Sequence, residues 1–158
     1  MMDATEIEEF STLENFVKFM KTTNLPAFVE KYFAIEPAYT KVIGEIGGTY
    51  ITFSEIPLQI KVNKDAELSL FLYLDRPNSG KINILKFINY KTKIDEILSF
   101  FGDPDFEINE DKRIQLDAKY KIVKYFIDEI FSISFDYDEN IRMISVFRDR
   151  FRVGRHPQ

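Results

Sequence analysis

Residues 130–147 read "IFSISFDYDENIRMISVF", and their two-residue alternation constrains the fold more than any other stretch. Phe131, Ile133 and Phe135 recur at every second position with Ser132 and Ser134 between them, the period of a strand with one buried face. "IRMISVF" is again rich in β-branched and aromatic residues, which suit a pleated sheet. Between the two runs, Asp136, Asp138 and Asn140 place side-chain oxygens at alternate positions, as the opening of a calcium-binding loop does. Such a loop also needs glycine at its sixth position and a bidentate Glu at its twelfth, and here those positions hold Ile141 and Phe147. A hairpin turn is the better reading, because Asp and Asn tolerate turn backbone and bond to their own chain.

The rest of the chain divides by period. Leu13, Phe16, Val17 and Met20 recur at three and four residues, one apolar helix face, with a capping box at Ser11 and Glu14 or an earlier one at Thr5 and Glu8. "NLPAFVEKYFA" restarts the pattern after Pro26, with Phe28, Val29, Tyr32 and Phe33 as its stripe. From Gly47 the character changes to strands. "TYITFSEIPLQIKV" is broken at Pro57 into two short strands or one bulged edge strand. "ELSLFLYL" and "KINILKFINY" flank the turn formers of "DRPNSG" and are expected to pair as a hairpin. "TKIDEILSFFG" returns to helical spacing: Thr92 can cap, Ile94, Ile97, Leu98 and Phe101 line one face, and Gly102 supplies the stop. Strands follow at Tyr120–Ile127, Ile130–Tyr137 and Ile141–Phe147.

Helices, then strands, one helix, then strands with short connections make an α+β chain rather than alternating parallel units. The expected fold is N-terminal helices packed on a mainly antiparallel β-sheet, with one further helix near residues 92–101. With 158 residues and no linker composition, one domain over 1–158 is the economical reading, ending in a mobile basic tail from about residue 149.

Chemistry is sparse. The chain has no cysteine, which removes disulfides, thiol catalysis, iron-sulfur clusters and the common structural zinc sites. Its single histidine is His156, in the terminal tail, so Ser-His and Cys-His nucleophile systems and histidine-ligated metals have no candidate. Gly44, Gly47 and Gly48 match neither phosphate-binding glycine signature and read as a turn before a strand. No catalytic residue, metal ligand or cofactor is expected. The acidic start "MMDATEIEEF" and the absence of a long apolar run point to a soluble, cytoplasmic chain with no membrane partner.

Charge is uneven. The net charge is -5, but residues 142–158 carry Arg142, Arg148, Arg150, Arg152 and Arg155 against Asp149, leaving the rest strongly acidic. An acidic body repels nucleic-acid phosphates and attracts basic partners. In "GDPDFEINEDKR", Asp103, Asp105, Glu107, Glu110 and Asp111 bracket Phe106 and Ile108. As an interface this would be an aromatic anchor among steering charges. As plain structure, the preferred reading, Phe106 and Ile108 enter the core as a strand begins and the acids stay wet. Tyr120 and Tyr125 are candidates to expose their rings beside Lys121 and Lys124 on one sheet face.

A helix ending "ILSFFGDPD", then "YKIVKYF" and "IFSISFDYDENIRMISVF", resembles the ending of small bacterial immunity proteins that are encoded beside polymorphic or contact-dependent growth-inhibition toxins. The resemblance covers roughly residues 92–148. It implies a non-catalytic inhibitor that binds and occludes a cognate protein toxin, here a basic, nuclease-type one, and it transfers no interface residue. The partner-binding residues proposed on chemical grounds are Asp103, Asp105, Phe106, Glu107, Glu110 and Asp111. Two other readings stay open: a small-ligand or scaffold module, and a carboxylate-dependent hydrolase. A homodimer through an edge strand fits all three.

Overall fold

A computed structural model describes residues 7–21, 27, 39–43, 48–53, 57–63, 65, 67–76, 83–110 and 120–148. These residues form a mixed α+β structure, mostly sheet. Helix α1 is Leu13–Met20 and helix α2 is Ile94–Phe101; the strands are β1 (Tyr39–Ile43), β2 (Thr49–Phe53), β3 (Leu58–Val62), β4 (Leu68–Tyr73), β5 (Phe106–Glu110), β6 (Tyr120–Phe126), β7 (Phe131–Tyr137) and β8 (Ile141–Arg148). They make one antiparallel sheet in the order β1-β2-β3-β4-β8-β7-β6-β5. The expected helix near 92–101 and the last three strands fall where the periodicity put them.

One face of the sheet is the core. Leu70, Leu72, Val123, Phe131, Ile133, Phe135, Ile144 and Val146 point into it and are buried. Each such side chain contributes about 1.5–3 kcal/mol relative to an exposed one. Phe16, Phe19 and Met20 of α1 belong to the same cluster, and Phe10 stacks on Phe16 with ring centroids 5.0 Å apart. The cap of α1 is Thr12 rather than Ser11: its hydroxyl accepts from the Asn15 amide at 3.0 Å, while Ser11 donates to the Glu8 carbonyl. Thr5 and the helix expected after Pro26, with Phe28, Val29, Tyr32 and Phe33, lie outside the described residues, as does the basic tail from 149.

Pro57 separates β2 from β3, so the interrupted run is two strands. The hairpin expected between "ELSLFLYL" and "KINILKFINY" does not form among the described residues. β4 pairs with β3 and β8 instead, and Ile84 bridges Ile88 within its own tight turn. Leu85 and Lys86 take φ of 53° and 69° there, a left-handed turn that no strand could contain. The apolar residues misled the reading because Ile84, Leu85 and Ile88 are indeed buried, but as a turn inserted into the core.

The "DYDEN" segment is a hairpin. The Asn140 amide donates to the Asp138 carboxylate, and a bulge falls at Asp136 and Tyr137. Ile141, at the loop position where calcium would need glycine, is buried. Asn140 donates to the Tyr90 carbonyl at 3.2 Å and accepts from Lys93 Nζ at 3.2 Å, and the Ile141 amide donates to the Thr92 carbonyl. These oxygens and amides fasten the turn to the start of α2. Thr92 sits just before the cap position, accepting from the Asn89 amide and donating to the Phe87 carbonyl; Lys93 is the cap residue, and its amide donates to Glu96.

Candidate functional site

The chain leaves α2 through Gly102, whose φ of 84° is a conformation that favours glycine and whose amide still donates to the Leu98 carbonyl. Asp103, Pro104 and Asp105 then lead into β5, one of the two terminal strands of the sheet among the described residues. Tyr125 in β6 fixes this junction. Its hydroxyl donates to the Gly102 carbonyl at 2.8 Å, and its ring stacks on Phe101 at 4.6 Å. Asp105 adds a second tie, accepting from the Phe126 amide at 2.9 Å while its own amide donates to the Lys124 carbonyl.

β5 alternates as a strand must, which separates the predicted residues by face. Glu107 stands opposite Val123, toward the core side, and Phe106 and Ile108 stand opposite Lys124 and Ile122, toward the outer side. The expectation that Phe106 and Ile108 enter the core is therefore wrong: they are 56% and 47% exposed. The core face of the sheet's last strands is already filled by Val123, Tyr125 and Phe135, so the two apolar side chains of β5 fall on the other face. Phe106 lies edge-on to Phe126, with ring centroids 6.0 Å apart, and Lys124 Nζ is 5.5 Å from its centre.

The acids gather at the same edge. Burial, then the carboxylates of Asp103, Asp105 and Glu107, push the Tyr125 phenol up to about 12. Burial and Glu107 also raise the Tyr137 phenol. Three of the six predicted partner residues thus act on one buried hydroxyl. Asp103, Asp105 and Glu107 are exposed, Glu110 stands in β5 opposite Tyr120, and Asp111 lies outside the described residues.

Tyr125 is 4% exposed, so it does not form the expected surface with Lys124. Neighbouring strand residues face opposite ways, and Lys124 is on the outer face, 5.3–5.8 Å from the rings of Phe106, Phe126 and Phe147. The Tyr120 side chain lies outside the described residues.

Sequence reasoning missed the outer side of α2. Ile97 is buried and Ile94 and Phe101 half-buried, but Leu98, on the same stripe by spacing, is 36% exposed and Phe100 is 54% exposed. Phe100, Phe87, Asp95, Glu96 and Ser99 line an open groove of about 440 Å³. The signal available was Phe100 itself, which fits no apolar stripe beside Ile94, Ile97 and Phe101. Rings run on from the groove to the β5 junction: Phe87 to Phe100 at 5.0 Å, Phe100 to Phe101 at 4.9 Å, then Tyr125.

Among the described residues, the exposed large apolar side chains are Tyr90, which is followed by Lys91 and Lys93, and Leu98, Phe100, Phe106 and Ile108, which fall within residues 94–110. Residues 94–110 also carry Asp95, Glu96, Asp103, Asp105, Glu107 and Glu110 and no Lys or Arg, a larger negative charge than the whole chain's -5. Among the described residues no group of three or more His, Asp or Glu is placed to hold a metal ion, and no helix is long and apolar enough to cross a membrane. No family model, curated protein or solved structure matches the chain.

Proposed function

We propose that the chain is a non-catalytic, protein-binding inhibitor that docks a basic partner on the surface formed by α2 and β5. The observation that supports this is the concentration of exposed apolar side chains and unbalanced acids in one segment. Scattered exposed apolar groups are ordinary on any protein, whereas here Phe100 over the core face and Phe106 and Ile108 on the outer face flank one sheet edge whose own charges are acidic, with Lys124 beside Phe106. Phe100 and Phe106 are the aromatic anchors, and Asp95, Glu96, Asp103 and Glu107 steer a cationic partner onto them.

The partner class rests on the resemblance of residues 92–148 to immunity proteins. In this reading the partner is the cognate toxin, a basic nuclease-type protein whose active surface is occluded by α2 and β5. The inhibitor acts in the cytoplasm and needs no cofactor, because occlusion requires only complementary surface. The test is coexpression with the toxic product of the adjacent reading frame. Copurification and rescue of cell growth support the proposal; a neighbouring product that is harmless and does not bind removes it.

A further inference from the structure

Resting on that docking surface, we propose that β5 recognises its partner by strand addition, taking an extended segment in which basic and apolar side chains alternate. β5 ends the sheet, with β6 as its one neighbour among the described residues. Every second N–H and C=O of a terminal strand points away from its neighbour and is available to another chain. Natural terminal strands are commonly protected by bulges, prolines, lysines or inward-pointing charges; the described part of β5, "FEINE", has no bulge, proline or lysine, and its inward charge, Glu107, is one that a basic added strand would neutralise. The ladder to β6 holds the strand extended, and the bonds of Asp105 to the Phe126 amide and of Tyr125 to the Gly102 carbonyl fix the chain that leads into it.

The side chains set the code. Glu107 lies on the core side of the strand, with Asp105 just before it, while Phe106 and Ile108 lie on the outer side. An added strand must carry like periodicity: side chains beside Asp105 and Glu107 should be cationic, and those beside Phe106 and Ile108 should be apolar. A second copy of β5 would set more acids against a segment that already holds six and no base, so charge favours a basic partner over self-pairing.

Four blocked peptides test this on the whole chain: alternating arginine and valine, the same residues in two blocks, and the alternating peptide N-methylated on one or the other alternate set of amides. The alternating peptide should bind, and the block isomer should bind about tenfold more weakly or worse. One N-methylated series should lose about tenfold or more while the other is spared, because only one set of amides faces the strand. Hydrogen exchange of residues 106–110 should slow on binding. Equal binding by all four peptides, absence of binding by any, or unchanged exchange overturns strand addition. Slow exchange without peptide in a concentration-dependent dimer also overturns it, since β5 would then be taken by a second copy. Failure of the docking surface itself is read separately, as a toxin that binds the double variant Phe106→Ser, Ile108→Ser as well as it binds the unaltered chain.

Discussion

The hydroxyl of Tyr125 donates to the carbonyl of Gly102 at 2.8 Å, so the last part of β6 holds the point where α2 ends and the acidic approach to β5 begins. Tyr125→Phe removes that bond and keeps the stack on Phe101. The expected loss of stability is about 0.5–1.5 kcal/mol, measured as a shift in the urea midpoint at unchanged slope. A variant as stable as the parent would mean that the junction is held by packing alone.

The same phenol predicts alkaline sensitivity. Its value in the folded chain, about 12, lies above the ordinary 10.0 of an unfolded chain. The neutral phenol therefore stabilises the fold fully below pH 10, and that contribution is lost as pH rises through 10 to 12. Stability of the parent should fall across this window more steeply than that of Tyr125→Phe. Parallel curves for the two proteins would contradict the assignment.

Asp136 predicts the opposite kind of variant. Burial raises its carboxyl above the usual range, although Arg142, 3.8 Å away, pulls it down. Since the folded value is the higher one, stability from the protonated acid is present at low pH and lost as pH rises through that value. At neutral pH the ionised side chain then weighs against folding. Asp136→Asn should gain stability relative to the parent as pH rises from the acid range to neutral. A variant that loses ground over that range would show that the Arg142 pair outweighs burial.

Much of this architecture was legible in the chain. Strand alternation at 131–147, the break at Pro57 and the stop at Gly102 are local signals, and local signals survive into the fold. What was not legible depended on which face the core took. Phe106 and Ile108 alternate correctly for a strand, but nothing in their own sequence says that Val123, Tyr125 and Phe135 have already filled the core side. The turn at Ile84–Ile88 was hidden for a related reason, since burial gives it the composition of a strand. The acids at 103–107 were found by charge alone; their convergence on Tyr125 needed the strand register.

Surface and core should separate in mutants of β5. Phe106→Ser is expected to change stability by no more than about 0.5 kcal/mol, because its ring is largely exposed. Its affinity for the partner should fall by about tenfold or more, as for an interface anchor. Affinity retained alongside a large loss of stability would make Phe106 a packing residue instead.

The charges should act on rate and salt dependence. Asp103→Asn with Glu107→Gln leaves the Asp105 tie to the Phe126 amide intact. Association should slow, and binding should become less sensitive to salt, with a smaller effect on dissociation. An unchanged salt dependence would exclude these two acids from the encounter.

The proposed docking of a toxic basic protein on α2 and β5 stands or falls on binding. The most direct measurement is the affinity of that protein for the unaltered chain and for the double variant Phe100→Ser, Phe106→Ser, with folding checked by urea unfolding. Tight binding and cell rescue are expected of the unaltered chain, and loss of both of a variant that remains folded. Undiminished binding and rescue by the folded double variant would contradict the proposed docking.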